Sequence, residues 1–249
     1  MSSLLAGYRN EVRLMTYRRK TTYFLLFSAI LPILLALAFH ALGPRIGWIA
    51  VSASFPIQIL SIYTALWIPL FLFLSIADIF PHEVASKTLK LSLLRPITRF
   101  RVYMAKTLVL FTAIAAIFLL LASVSIVCNL AAGSSVMNGM DYFDVLKAYL
   151  ASFISMCALA ALFVFVAQLF QSVSGFVVFA IVLYAVVKVL PYFVKGFSAF
   201  SIASYTDWYV LWLAGAVSVG KIVITALFIL SALVLFLSLG FLRFDRKEA

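Results

Sequence analysis

Residues 107–132 read TLVLFTAIAAIFLLLASVSIVCNLAA, 26 residues without a charged side chain. A helix of that length reaches about 39 Å, more than the roughly 30 Å hydrocarbon core of a bilayer. Backbone N–H and C=O groups find no water there, so a lone segment crosses only as a helix. Five further runs of the same kind occupy 21–42, 55–78, 148–170, 174–194 and 221–242. The whole chain agrees: of 249 residues 66% are apolar and only 11% charged, against about 25% charged in soluble domains. The fold class that follows is an all-α integral membrane protein, a single domain over 1–249 with six transmembrane helices. No connection reaches 30 residues, too short for a soluble domain to fold alone. The first run, TTYFLLFSAILPILLALAFHAL, exceeds a signal-peptide core and has no cleavage signal after it, so it stays as a span.

The net charge of +11 is distributed as a topology signal. Arg9, Arg13, Arg18, Arg19 and Lys20 precede the first span; Lys87, Lys90, Arg95, Arg99, Arg101 and Lys106 lie between the second and third; Arg243, Arg246 and Lys247 follow the last. Short loops rich in Lys and Arg stay in the cytoplasm, which places both termini inside. That pattern argues against a nucleic-acid partner and for membrane lipid. Residues 3–20 read as an interfacial amphipathic helix. Tyr8, Val12 and Met15, with Leu5, share one face, and Arg9 and Arg13 share another. The apolar face is expected in lipid, the cations near anionic headgroups. Pro32 and Pro69 are expected to kink the first two spans.

Spans four and five are joined so briefly, at 171–175, that they form an antiparallel hairpin. Beyond span five, 192–215 carries a run of aromatics that includes Tyr192, Phe193, Tyr205, Trp208, Tyr209 and Trp212. Short interfacial or re-entrant helices are expected there, serving as an outer gate or as an aromatic belt.

Just before 107–132 stands the basic segment 80–106, FPHEVASKTLKLSLLRPITRFRVYMAK. Glu83, Lys87 and Lys90 fall on one helical face, Val84, Thr88, Leu91 and Leu94 on another, and Pro96 ends the helix. A short amphipathic helix tied to two spans suits docking of a soluble partner. Glu83, Thr88-Leu89, Pro96-Ile97-Thr98-Arg99 and Lys106 resemble the E-x-E-x-G-T-L … P-[IV]-[ST]-R … K pattern of permease subunits of ABC-2-type transporters. Lys87 stands where that family usually has Gly, and Ala85 where a second acid is usual. The architecture and the ending Phe241-Leu242-Arg243-Phe244-Asp245 are similar too.

The resemblance implies that 80–96 is a coupling helix seated in a cytoplasmic ATP-binding cassette ATPase. Glu83, Thr88 and Leu89 would then be the contact end, with Lys87 and Lys90 beside them, and Pro96 and Arg99 would set the return into span three. It further implies a second permease copy (the same chain or a sister), a prokaryotic cytoplasmic membrane, and export of an amphiphilic or hydrophobic cargo such as a peptide antibiotic, drug or lipid-linked molecule. This chain would hold no cofactor, ATP and Mg being bound by the partner ATPase, because no G-x-x-x-x-G-K-[ST] occurs in it.

Enzymatic readings are poor. His82-Glu83 begins an H-E-x-x-H zinc motif, but position 86 is Ser. Ser172 occupies the Gly position of a membrane serine protease motif, and spans three to six hold no His. Cys128 and Cys157 lie inside apolar runs and pack as small hydrophobes. Lys188, near the end of span five, reads as a snorkelling cation. Two other readings stay open: a self-contained secondary transporter or channel, which usually needs acids or His within its spans, and a sensor or immunity protein.

Overall fold

In the computed structural model, the described residues are 2–46, 55–85, 98–131, 139–194, 201–214 and 217–246. Every regular element among them is helical. The N-terminal helix α1 (Ser2–Tyr17) turns at Arg18 into α2 (Arg19–Ile46), the first span. The second span is built from α3 (Phe55–Ile62), a π-helical turn (Tyr63–Trp67) and α4 (Ile68–Ile79), followed by the one-turn α5 (Pro81–Ala85). Then come α6 (Arg99–Ala131), α7 (Gly139–Ala167) and α8 (Val173–Phe193). The next segment, outer in the orientation the loop charges imply, contains a 3-10 turn (Ile202–Tyr205) and α9 (Tyr209–Leu213), and α10 (Val219–Asp245) follows. Among the described residues, six helical spans are long and apolar enough to cross a membrane. The third span starts two turns earlier than its apolar run, because α6 carries Arg99, Arg101 and Lys106 on its first turns.

The second and fourth spans form the centre. In their most apolar stretches 61% and 72% of residues are buried, against 17% in each of the first, fifth and sixth spans. The fourth can be central because half of its buried positions are Ala or Ser: Ala148, Ala151, Ser152, Ser155, Ala158, Ala160, Ala161 and Ala167 let neighbouring backbones approach. α10 packs along α7, α2 and α1 lie on α6, and α8 rests on α4. Near the outer end Tyr149 joins three spans, its hydroxyl donating to the Pro56 carbonyl and meeting Ser125 Oγ, each at 3.2 Å.

Two of the prolines inside spans, Pro32 and Pro69, explain a second set of ties. Proline has no N–H, so the carbonyl four residues earlier loses its helical donor. For Pro32 that carbonyl belongs to Ser28, and the Tyr63 hydroxyl donates to it at 2.7 Å. For Pro69 it belongs to Ala65, and the Tyr184 hydroxyl donates to it at 2.8 Å. Each phenol reaches over from the next helix, so the defect in one span becomes a bond to another. Ser28 is fully buried; its Oγ donates to the Phe24 carbonyl and accepts from Trp67 Nε1, at 2.8 and 2.7 Å. The helix itself responds differently at the two sites. α2 continues as α-helix through Pro32, whereas the second span widens into the π turn just before Pro69, where the Ile68 N–H reaches back to the Tyr63 carbonyl.

This pairing predicts a coupled energetic effect. Tyr184→Phe should cost about 0.5–1.5 kcal/mol in the parent protein. In a Pro69→Ala background the restored N–H serves the Ala65 carbonyl, and the same change should cost little. Unfolding by denaturing detergent across the four proteins of that double-mutant cycle measures the difference; equal costs in both backgrounds would refute the pairing.

Candidate functional site at the basic end of the bundle

Lys106 lies two turns into α6 and its side chain is 1% exposed. An ammonium at that depth requires partners, since an unpaired buried charge is prohibitively costly. Two carboxylates supply them. Glu11 Oε1, from α1, lies 2.8 Å from Nζ, and Glu83 Oε1, from α5, lies 2.5 Å from it. The cluster therefore joins the N-terminal helix, the short helix after the second span, and the start of the third. It carries one cation and two anions, and Glu83 Oε2 is buried without a hydrogen-bond partner.

A turn and a half before Glu83, Asp78 forms a second ionic tie. Its carboxylate receives Arg18 Nη1 at 3.6 Å and Lys20 Nζ at 3.5 Å, both from the junction of α1 and α2. On the other side of α6, the Arg99 guanidinium donates to the Asp245 carbonyl at the end of α10. Between these polar links sits an aromatic cluster. Tyr103 has ring centroids 6.1, 5.8 and 5.6 Å from those of Phe80, Phe241 and Phe244. Its hydroxyl donates to the Leu237 carbonyl at 3.1 Å. Gly240 makes that approach possible, because a Cβ there would stand 2.5 Å from the Tyr103 hydroxyl oxygen. The ends of four spans and both short helices are thus locked to one another at the basic end.

The expected site residues are placed as follows. Glu83 turns into the bundle toward Lys106. Arg99 heads α6 and joins it to α10. Lys87, Thr88, Leu89, Lys90 and Pro96 lie outside the described residues. On α1, Arg9 and Arg13 are exposed. Met15 is buried and Tyr8 and Val12 are partly buried against the core, so these three positions rest on protein where lipid contact was expected. Gly7 reinforces this, since its Cβ position would come 3.7 Å from Ala105 Cβ.

At the opposite end, Trp208 and Tyr209 are buried, Tyr205 lies tilted against Phe228 with ring centroids 5.3 Å apart, and Trp208 meets Trp212 edge-on at 5.3 Å. Phe193 is exposed, and the Tyr192 side chain lies outside the described residues. Lys188 corrects the snorkelling expectation. Its ammonium is held within the fold, 2.5 Å from Thr206 Oγ1 and 3.3 Å from Asp207 Oδ2.

Reading the sequence missed Glu11 and Asp78. The signal for Glu11 was present: it is the first acid in the chain, surrounded by cations, yet it shares the helical face of Tyr8, Val12 and Met15. An acid on the apolar face of an amphipathic helix signals a buried cation nearby. Among the described residues no group of His, Cys, Asp and Glu could hold a metal ion, and Cys128 and Cys157 are free thiols.

A family model described as ABC-2 family transporter protein matches residues 16–188, more than two thirds of the chain. Comparison with curated proteins found no match.

The ionic cluster makes its own prediction. Lys106→Met strands two carboxylates and should destabilise the protein by about 3–5 kcal/mol. Adding Glu11→Gln and Glu83→Gln removes the stranded charge and should restore most of that loss. Detergent-unfolding midpoints of the single and triple variants decide it; a triple variant as weak as the single one would show that the charges do not act as a unit.

Proposed function

We propose, from the premise that this chain belongs to the ABC-2 transporter family, that it is the permease of an ATP-driven exporter energised by a separate cytoplasmic ATPase. The family membership makes it a membrane component of a transporter. Transport against a gradient needs an energy source, and the sequence holds no phosphate-binding loop. The nearest approach, Gly215 to Gly220-Lys221, continues with Ile222, so it lacks the hydroxyl that binds Mg²⁺, and Lys221 already belongs to the apolar helix α10. Energy then enters through a partner, and 80–96 is where it enters.

The observation that carries this reading is the ionic cluster at the root of that segment. A lever transmits motion only if it is fixed to what it moves. Glu83, at the segment's start, is bonded through Lys106 to the third span and through Glu11 to the N-terminal helix. In this reading Thr88, Leu89, Lys87 and Lys90 meet the ATPase, Pro96 and Arg99 set the return into α6, and Glu83 acts as a positioning residue. ATP and Mg belong to the ATPase. A second permease copy completes the path, both termini face the cytoplasm of a prokaryotic cell, and Arg9 and Arg13 meet anionic headgroups. The cargo class is amphiphilic or hydrophobic. A self-contained transporter would call for a carboxylate in mid-membrane, and among the described residues each acid sits at an end of the bundle.

Purification of the tagged chain from its native membrane in mild detergent tests the reading. An ATP-binding cassette protein should co-purify stoichiometrically. Glu83→Ala combined with Thr88→Ala and Leu89→Ala should reduce its recovery about tenfold or more, the effect of losing roughly 1.4 kcal/mol of interface energy. Membrane insertion should be unchanged. A chain that emerges alone even after gentle cross-linking would favour the self-contained transporter.

A further inference from the structure

Between α8 and α10 lies a cavity of about 470 Å³, within the range of ligand sites. Its floor is α7 at Leu162 and Phe163; one wall is α8 at Tyr184 and Val187. The other wall is α10 from Phe228 to Phe236, and Ser201 to Ala203 of the outer segment cover one end. The lining is almost wholly apolar, and two of its hydroxyls are engaged elsewhere: Tyr184 donates to the Ala65 carbonyl and Ser231 to the Phe228 carbonyl. Ser231 and Leu235 on the α10 wall are exposed, so the cavity opens sideways. In a membrane that opening faces hydrocarbon.

Two features identify the occupant. The first is depth. The α10 wall covers eight residue steps, about 12 Å of helix, close to the roughly 15 Å occupied by the chains of one leaflet. The second is charge. One turn beyond Tyr184, toward the outer segment, stands Lys188 at 26% exposure. An ammonium has three donors, and two of these are spent on Thr206 and Asp207. The third can meet an anionic oxygen where a headgroup would lie. We propose that this groove holds one phospholipid of the adjacent leaflet, its chain between α8 and α10 and its phosphate on Lys188. The inference rests on membrane crossing and stands apart from the reading of the ATPase-docking segment.

The test reconstitutes the full chain in nanodiscs with a trace of phosphatidylcholine bearing a diazirine on its acyl chain, and maps the photoadducts by mass spectrometry. Adducts at Leu183, Val187, Phe228 and Leu235 should exceed those at Val178 and Val182, on the far face of α8, by about fivefold or more. Ser231→Trp, a change at the exposed rim that leaves the core packing alone, should abolish that excess. Lys188→Met should lower labelling by the phospholipid but leave labelling by a diacylglycerol of the same chain. Even labelling of both α8 faces, or an excess that survives Ser231→Trp, would overturn the proposal. So would an equal response of both probes to Lys188→Met, because the phosphate would then contribute nothing. Efficient disulfide cross-linking of two chains through Ser231→Cys would overturn it as well, by showing a second copy of this chain in the groove.

Discussion

A lysine ammonium buried in a hydrocarbon-facing bundle must have its counter-charges brought to it, and at Lys106 that requirement organises one whole end of the molecule. Neither carboxylate is close in sequence: Glu11 comes from the N-terminal helix and Glu83 from the turn after the second span. To satisfy one cation, three separate elements must dock together. The Asp78 tie to Arg18 and Lys20 and the Arg99 tie to α10 extend the same lock outward. A buried ion pair of this kind contributes little net stability compared with apolar packing, but it is severe about misalignment. It fixes geometry more than it adds energy.

Further into the bundle the same logic operates on the backbone. Hydrocarbon offers no donor for a carbonyl that proline has deprived of its N–H. The fold answers with phenol groups, Tyr63 for Ser28 and Tyr184 for Ala65. These two bonds connect the first, second and fifth spans in series, and the Tyr149 hydroxyl joins the second, third and fourth nearer the outer end. The sixth span is held differently, along α7 and by the aromatic cluster around Tyr103. The fifth and sixth spans thus belong to different sides of the centre, and the lateral groove lies where those two sides part.

At the basic end, a displacement of α5 would pass first to α1 and α6, because both share Lys106 with Glu83. The opposite end has its own anchor in Lys188, Thr206 and Asp207, which holds the outer segment to the fifth span. The two ends differ in their charge burial, with a deeply buried cluster at the first and a partly exposed pair at the second.

The six spans, their order and the helical class were legible in the sequence, because hydrocarbon forces each crossing segment to satisfy its own backbone and so makes helix formation a local property of about 20 residues. The amphipathic N-terminal helix and the family pattern around Glu83 were legible for a related reason, since both are short-range spacings. The direction in which Glu83 points, the role of Glu11, the capture of Lys188 and the phenols on the proline-freed carbonyls were not. Lys106 and Glu11 are 95 residues apart, and Tyr184 and Ala65 are 119 apart. A period of 3.6 residues says which face of a helix is polar, but it carries no information about which distant helix will meet that face. Only the packed tertiary structure decided this, by bringing distant partners to Lys106 and Lys188 and to the Ser28 and Ala65 carbonyls.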